Sequence, residues 1–299
     1  MNPEDFFRPW EAVANNWREA LDHIGSIIDI STSDRDLAWR GVADSTYALH
    51  SSIYRRIAKK TGSLPDEASI IAFEQELLKS ARRKWRFDNQ SALETLAHLQ
   101  HYGGPTRLLD VSFNPLVALW FAVEQKYDEE FSAKADKDGR MFVFDVTGRQ
   151  VVLDNRWGGR DLPWASPIPG WSSELPYVWR PPSYNARIPA QNSGFLVGGV
   201  PQVFAGRNAR YRKGPGDGTS AGTWSIDDVR QSTSVTLTMN VSNRALRQTS
   251  KPTFTLRIAA EAKPEIREQL EKRYGFNSAS IYPDLYGLAQ YGANGIDAS

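Results

Sequence analysis

Apolar side chains in the first part of the chain recur at steps of three and four residues, the spacing that places them on one face of a helix. Over residues 6–30 the recurring positions are Phe6, Trp10, Val13, Trp17, Leu21 and Ile24. The same spacing predicts a longer helix over residues 66–87, with Ser63 or Asp66 as its cap. Ser91 followed by Glu94 has the capping-box pattern and predicts where the next helix begins. The N-terminal half is therefore expected to be mainly helical.

Short apolar runs predict strands, and these become more frequent in the second half of the chain. Strands are expected over residues 36–42, 141–146, 234–241 and 253–259, and after a turn within 187–200. Residues 147–186, rich in Pro and Trp, are expected to be irregular. Pro264 and Gly275 bound a further predicted helix. The pattern favours an α+β fold in which a helical N-terminal half packs on a mixed or antiparallel sheet.

Residues 93–124 place a polar segment between two apolar helices. The first helix is followed by a Gly-Gly-Pro turn and then by residues 106–114, which are rich in hydrogen-bonding side chains. Buried polar groups are costly unless they are paired, so this segment is either a structural network or a binding site. In a structural network, Arg107 and Asp110 would form an ion pair that holds the turn.

Arg40 lies at the centre of the strand predicted over residues 36–42, between Trp39 and Gly41. One interpretation is an edge-strand arginine followed by a turn glycine. The other is an arginine held on a rigid strand so that its guanidinium binds an anion through two nitrogens. In that case Gly41 would let a ligand approach the backbone closely.

Cations are concentrated near the end of the long predicted helix. Arg82, Arg83, Lys84 and Arg86 lie in the last turns of the helix over residues 66–87, where positive charge complements the helix dipole. The sequence favours a solvated basic helix end over a nucleic-acid-binding patch.

Composition narrows the classes of function. The 299 residues include no Cys and four His, which excludes disulfides and thiolate zinc sites and disfavours a multi-histidine metal site. Lys plus Arg number 36 and Asp plus Glu 35, and this formal net charge of +1 argues against a surface dedicated to coating nucleic acid. The N-terminus lacks an apolar signal segment, and the longest apolar run is too short to span a bilayer. We expect a soluble, cytoplasmic protein with no metal and no membrane contact.

Several sequence blocks follow one another in a characteristic order. Trp39-Arg40-Gly41 comes first, and LQHYGGPTRLLDVS at residues 99–112 continues through Asn114-Pro115 into an apolar helix. Shorter blocks follow at residues 187–195 and 282–288. Together these blocks resemble the FRG domain family, which is named after an aromatic-Arg-Gly signature. The resemblance spans about residues 35–290. Because no linker or internal repeat interrupts it, we expect a single domain over residues 1–299.

The order of the blocks is also similar to ADP-ribosyltransferases of the Arg-Ser-Glu type. In those enzymes an arginine on a first strand grips a dinucleotide phosphate, and a serine strand runs into a helix. Arg40 would match that arginine, and Ser112, ahead of Ala118 and Phe121, would match the serine. The third element, a glutamate on a late strand, has no obvious counterpart, because Gln191 cannot act as a carboxylate. The resemblance implies an ADP-ribosyltransferase-like fold with NAD as the substrate.

Cleavage of the nicotinamide–ribose bond passes through an oxocarbenium-like state. Such a site needs groups that bind the pyrophosphate, groups that contact the ribose hydroxyls, and a carboxylate that stabilises the positive charge on the sugar. The side chains proposed to take part in catalysis are Arg40, His101, Asp110, Ser112 and Asp284. The residues proposed to contact the ligand are Trp39, Gly41, Gln100, Tyr102, Thr106, Arg107, Asn114, Arg187, Gln191 and Phe195. A structural role is the alternative for many of them. Ser112, for example, also suits helix capping.

Three functions from different classes remain open. The first is a transferase of ADP-ribose or an NAD hydrolase. For this function the resemblance implies a toxin or antiphage-defence effector, with a protein or nucleic-acid acceptor and a restraining antitoxin partner. The second is a non-enzymatic module that binds nucleic acid or a nucleotide signal through Arg40, Arg107, Arg180, Arg187, Arg207, Arg210 and Arg212. The third is an interaction domain in which the polar segment only braces the fold.

Overall fold

The computed structural model of the chain describes residues 2–31, 34–130, 132–154, 156–172, 174–202, 211–214, 222–239 and 252–292. The helices are α1 (Pro3–Phe7), α2 (Trp17–Ile30), α3 (Ser52–Thr61), α4 (Glu67–Trp85), α5 (Ala92–His101), α6 (Pro115–Val123), α7 (Arg187–Ala190), α8 (Ile226–Ser232), α9 (Lys263–Tyr274), α10 (Ser278–Ile281) and α11 (Leu285–Tyr291). Short 3₁₀ helices cover Arg8–Trp10, Pro163–Ala165 and Ala260–Ala262. The strands are β1 (Glu11–Ala14), β2 (Leu37–Val42), β3 (Leu109–Ser112), β4 (Gly139–Asp145), β5 (Tyr177–Trp179), β6 (Ser193–Val197) and β7 (Thr253–Ile258).

Within the described residues the strands form one mixed sheet in the order β1-β7-β4-β2-β3-β6-β5. β1 runs parallel to β7, and all other neighbouring strands are antiparallel. Helices α2, α6 and α9 pack on one face, through a core that includes Ile24, Leu119 and Ile266. A second core on the other face includes Phe7 of α1 and Val229 of α8. This arrangement confirms the predicted α+β fold with a mixed sheet.

Helix α6 packs very close to the centre of the sheet. A side-chain carbon added at Gly41 would meet the Ala118 carbonyl oxygen at 1.9 Å, and one added at Gly139 would meet the Ala122 carbonyl oxygen at 2.0 Å. Both distances are far below van der Waals contact, so a side chain at either position would displace the helix. Gly41 is therefore explained by the approach of α6, and not by the approach of a ligand as the sequence suggested.

Most of the helices predicted from sequence are present, with their expected ends. The Asp66 side chain caps α4, and Ser91 forms a complete capping box with Glu94 at the start of α5. Pro264 lies in the first turn of α9, which ends at Gly275 in the left-handed conformation. The strands predicted over residues 36–42, 141–146 and 253–259 correspond to β2, β4 and β7.

The prediction of a single helix over residues 6–30 is wrong. The segment instead forms α1, a 3₁₀ turn containing Pro9, strand β1 and only then α2. β1 pairs with β7, so that Glu11 lies beside Thr255. The partner strand lies far away along the chain, and the helical spacing of the local apolar residues gives no sign of it.

Three further findings concern only the residues that the structure describes. Among them, no helix is long and apolar enough to cross a membrane. No group of three or more His, Asp or Glu side chains is arranged to hold a metal ion. Of the strand predicted over residues 234–241, the part up to Met239 is described, and it makes an isolated bridge between Met239 and Thr253 instead of a strand. Arg207 and Arg210, like residues 240 and 241, lie outside the described residues.

His50 should make the stability of the fold sensitive to acid. The His50 Nε2 donates to the Arg230 carbonyl oxygen at 2.8 Å. Burial lowers the pKa of His50 from 6.5 to about 4, with a smaller contribution in the same direction from Arg55. Below pH 6.5 the unfolded chain therefore takes up a proton that the folded protein excludes. Stability should fall by up to about 3 kcal/mol as the pH drops towards 4, measured by urea unfolding at several pH values.

The matched variant for this prediction is His50→Gln. Its amide can still donate to the Arg230 carbonyl, but it does not titrate. The variant should lose less stability than the parent between pH 6.5 and 4. An equal loss in the two proteins would show that other groups cause the acid sensitivity.

Candidate functional site

The sheet opens between strands β2 and β3. β2 pairs with β4 along its whole length, but it pairs with β3 at a single position, where Trp39 lies opposite Ser112. Beyond that position the two strands separate, and the side chain of Arg40 bridges them. Its Nη1 donates to the Asp110 carbonyl oxygen at 2.6 Å. The Arg40 side chain therefore connects β2 to β3 at a position where backbone hydrogen bonds would otherwise join two neighbouring strands.

A cleft of about 290 Å³ lies at this opening. The predicted site residues that line it are Trp39, Arg40, Gly41, Gln100, His101, Asp110, Ser112, Arg187, Gln191 and Phe195. The other lining residues are Ala97, Val111, Phe121, Tyr184, Asn185, Ile188, Ser193 and Tyr282. The volume is close to the lower end of the range for small-molecule sites, roughly 300–1,000 Å³.

Asp110 presents an exposed carboxylate to the cleft, with 64% of its side chain accessible. Gln100 donates its Nε2 to Asp110 Oδ1 at 2.7 Å, and Arg40 Nη1 lies 4.0 Å from Oδ2. The Arg40 side chain is mostly buried, and its Nε has no hydrogen-bond partner. Burial lowers the pKa of Arg40 from its ordinary value, while Asp110 acts in the opposite direction. A guanidinium remains charged at neutral pH, so the cleft combines a fixed cation with an accessible carboxylate.

Arg187, the second arginine of the cleft, forms a bidentate ion pair with Asp284. Its Nε lies 2.6 Å from Oδ2, and its Nη2 lies 2.8 Å from Oδ1. Asp284 Oδ1 also accepts the Gly287 N–H at 2.7 Å and so caps α11. Hydrogen bonding by Arg187 lowers the pKa of Asp284. Both Asp284 oxygens are therefore occupied, whereas Asp110 keeps accessible surface.

His101 lies in the last turn of α5 and forms part of the cleft wall. Burial lowers the pKa of His101, Arg187 and His98 act in the same direction, and Asp284 opposes them. These effects favour the neutral imidazole, the form that can accept a proton from a nucleophile.

Residues 35–130 match the sequence model of the FRG domain. The chain carries an FRG domain. The match confirms the resemblance drawn from Trp39-Arg40-Gly41 and from the block over residues 99–112. No curated protein and no solved structure matches the chain.

Residues within the matched segment, 35–130, form one wall of the cleft, and residues that follow this segment form the other wall. The first wall includes Arg40, His101 and Asp110, and the second includes Arg187 and Phe195. Strand β3 of the matched segment pairs along its length with β6 of the later segment. The cleft therefore depends on the packing of the FRG match against a part of the chain that the match does not cover.

Two predicted site residues join these walls. The Ser112 Oγ donates to the Gln191 carbonyl oxygen at 2.7 Å and accepts the Asn114 N–H at 3.0 Å. The Gln191 side chain donates through Nε2 to the Ile281 carbonyl oxygen at 2.9 Å. Ser112 and Gln191 line the cleft, but these bonds give both of them a bracing role.

Three predicted ligand contacts of the FRG domain lie outside the cleft. The Tyr102 side chain is exposed to solvent beyond it. Thr106 is buried and donates to Gln100 Oε1, which orients the amide that in turn holds Asp110. Asn114 accepts the Leu116 N–H at 2.9 Å and caps α6.

Arg107 also lies outside the cleft, in a buried network. Its Nη1 is 2.7 Å from Glu67 Oε1, and its Nη2 is 2.7 Å from Glu74 Oε2. The guanidinium lies over the rings of Trp164 and Trp171. The prediction that Arg107 pairs with Asp110 is therefore wrong, because the two carboxylates that pair with Arg107 both belong to α4.

Eight lining residues were not among the predicted site residues, and Phe121, Tyr184, Asn185 and Tyr282 are four of them. Phe121 and Tyr282 lie in the blocks that carried the family resemblance, so the blocks could have suggested them. Tyr184 and Asn185 lie in the irregular stretch over residues 147–186, where no periodicity points to a site. The Asn185 side chain accepts the Arg187 and Ile188 N–H groups and thereby starts α7.

Proposed function

We propose that the cleft binds NAD and that the protein cleaves the nicotinamide–ribose bond, either transferring ADP-ribose to an acceptor or hydrolysing NAD. The observation that carries this proposal is the pairing of Arg40 with Asp110 where β2 and β3 separate. A fixed cation and an accessible carboxylate face the same cavity. NAD has the complementary features, an anionic pyrophosphate and a ribose that becomes positively charged as its bond to nicotinamide breaks.

Arg40 is the group best suited to hold the phosphate. Its side chain lines the cleft and is 20% accessible, so the guanidinium can donate a charge-assisted hydrogen bond there, although its Nε is buried. Arg187 is less available, because Asp284 already occupies two of its nitrogens. The cavity of about 290 Å³ is small for a whole dinucleotide. We assign it to the nicotinamide–ribose end with the adjoining phosphate, and the adenosine end would lie across the rim.

The proposed reaction uses Asp110 and His101. The electron pair of the C1′–N bond leaves with nicotinamide, and the Asp110 carboxylate stabilises the positive charge that develops on the ribose. A water oxygen, or a nucleophilic atom of an acceptor, then bonds to C1′. The neutral His101 takes the proton that this nucleophile loses. Among the described residues no glutamate lines the cleft, so Asp110 would provide the carboxylate.

The first test is incubation of the purified protein with NAD, with nicotinamide release and NAD-dependent thermal stabilisation as readouts. Arg40→Ala should weaken NAD binding roughly 10- to 100-fold, because charge-assisted hydrogen bonds are lost. Its melting temperature should stay within a few degrees of the parent, since within the described residues the guanidinium makes one hydrogen bond, to the Asp110 carbonyl oxygen.

The matched control is Arg56→Ala, which removes an exposed arginine on α3, outside the cleft. This variant should bind NAD as the parent does. A parent protein that shows neither turnover nor stabilisation by NAD would overturn the proposal. An unfolded Arg40→Ala variant would instead make Arg40 a structural residue.

The two other functions have different signatures. Nucleotide binding without nicotinamide release would indicate a non-enzymatic nucleotide-binding module. Absence of any nucleotide effect would favour an interaction domain braced by the polar segment.

We extend the enzymatic proposal to a toxin or antiphage-defence effector, since uncontrolled NAD cleavage would arrest growth. Expression of the parent should then reduce viability, expression of Arg40→Ala should not, and a restraining partner would restore growth.

A further inference from the structure

We propose that the C-terminal end of α4 binds single-stranded nucleic acid at a surface separate from the cleft. This surface, the α4-end surface, consists of residues 82–87 with the sequence Arg-Arg-Lys-Trp-Arg-Phe. Trp85 is 72% exposed and Phe87 is 51% exposed, so two aromatic rings stand in solvent among four cations. The helix dipole accounts for the cations, but it gives no reason for the exposed rings.

The charges of this surface are free to meet an anionic partner. Arg83, Lys84 and Arg86 are exposed, and none of them has an ion-pair partner within the described residues. Elsewhere on the surface, cations are commonly paired within one turn of a helix, as Lys272 is with Glu268. Three unpaired cations beside two exposed rings form a combination of charge and stacking area that suits phosphates and bases.

A groove continues the α4-end surface along the helix. It has a volume of about 510 Å³, and its lining includes three cations of α4, Lys79, Arg82 and Arg83, and one carboxylate, Asp161. The three cations recur at steps of three and four and are neighbours on one helix face. The Arg82 Nε is buried without a hydrogen-bond partner, and its Nη2 donates to the Arg160 carbonyl oxygen. A strand that stacks its bases on Trp85 and Phe87 could therefore lay its phosphates along a row of cations.

Single-stranded nucleic acid fits these features better than a duplex or a membrane does. Bases inside a duplex are stacked on each other and are not available to aromatic side chains, whereas those of a single strand are. Binding of a helix to a bilayer grows with the apolar area it buries, and this surface offers only two apolar side chains. The groove is also distinct from the cleft, because no residue that lines one of them lines the other.

The test is fluorescence anisotropy with labelled oligothymidylate and oligouridylate, titrated with the full chain at several salt concentrations. The parent should bind both, more weakly as salt rises. Trp85→Ala combined with Phe87→Ala should weaken binding roughly 5- to 100-fold, the loss expected for base stacking. Arg83→Gln, Lys84→Gln and Arg86→Gln together should reduce the slope of log affinity against log salt by about 2.

The matched control removes three other exposed cations, by Arg56→Gln, Lys59→Gln and Lys60→Gln on α3. This variant should bind nearly as the parent does. Equal losses in the control and α4-end charge variants would overturn the proposal, because attraction would then be non-specific. Retention of full affinity by the aromatic variant would also overturn it, as would binding to anionic phosphatidylserine vesicles with none to oligonucleotides. Arg40→Ala should leave oligonucleotide binding unchanged, which separates this outcome from that of the NAD experiment.

Discussion

Replacement of Arg107 by Met is expected to destabilise the fold by about 3–5 kcal/mol, the usual cost of breaking a buried ion pair from one side. Arg107 is 3% exposed, and it donates to Glu74 through Nε and Nη2 and to Glu67 through Nη1. Without the guanidinium both carboxylates would stay buried with no cation to balance them. Urea unfolding, followed by circular dichroism, measures the loss.

The same variant should also disturb the tryptophan-rich segment. The Trp164 Nε1 donates to Glu74 at 2.8 Å, and the Trp171 Nε1 donates to Glu67 at 2.8 Å. The two indole rings stack 5.4 Å apart, and Arg107 lies 4.7 Å from the Trp164 ring. The network thus fastens an otherwise irregular segment to α4. Tryptophan fluorescence should shift in Arg107→Met before the main unfolding transition.

Arg83→Met is the matched control, because it removes an exposed arginine from the same helix that supplies both glutamates. It should change stability by less than about 0.5 kcal/mol, as surface substitutions usually do. Adding Glu74→Gln to Arg107→Met should recover part of the lost stability, since one unbalanced charge is removed. A loss below about 1 kcal/mol for Arg107→Met would mean that the carboxylates become protonated or reach water without unfolding.

Local signals in the sequence located several helix ends correctly. Asp66, Ser91 and Gly275 each act on backbone groups within a few residues, and each marks a helix end in the structure. Capping and the left-handed conformation of glycine depend on short-range geometry, so the sequence alone is sufficient to locate them.

Contacts between distant segments were the ones that the sequence did not predict. Arg107 has a carboxylate three residues away, but its partners Glu67 and Glu74 lie two helical turns apart on α4. Glu74 has no exposed surface and follows the apolar side of that helix, so a glutamate on an inward face was a signal of a buried cation. The identity of that cation depended on the tertiary fold.

The cleft contains residues that the sequence predicted and a contact that it did not predict. Arg40, Gln100 and Asp110 come from blocks of the FRG domain resemblance, and the structure brings them into direct contact. The bidentate pairing of Arg187 with Asp284 was not predicted, although each of the two residues was predicted to be a site residue. This pairing changes the candidate chemistry, because it occupies one of the two carboxylates that could serve an NAD-cleaving reaction.

Asp110→Asn is therefore expected to have the largest effect on turnover. If Asp110 stabilises the ribose cation, the change should lower kcat by about 10²- to 10⁴-fold. NAD affinity should change little, since the Asn oxygen can still accept from Gln100 and the hydrogen bond of Arg40 is to the backbone oxygen of this residue. Nicotinamide release gives kcat, and isothermal calorimetry gives Kd.

Asp284→Asn provides the comparison that decides between the two carboxylates. It should leave Arg187 without a full counter-charge and so lower stability, but reduce kcat much less than Asp110→Asn does. This difference follows from geometry, because Arg187 and the Gly287 N–H already hold both Asp284 oxygens. A larger loss of kcat in Asp284→Asn, with Asp110→Asn still active, would transfer the catalytic role to Asp284. The Arg187 pair would then have to open before the reaction, and turnover should rise in salt that weakens it.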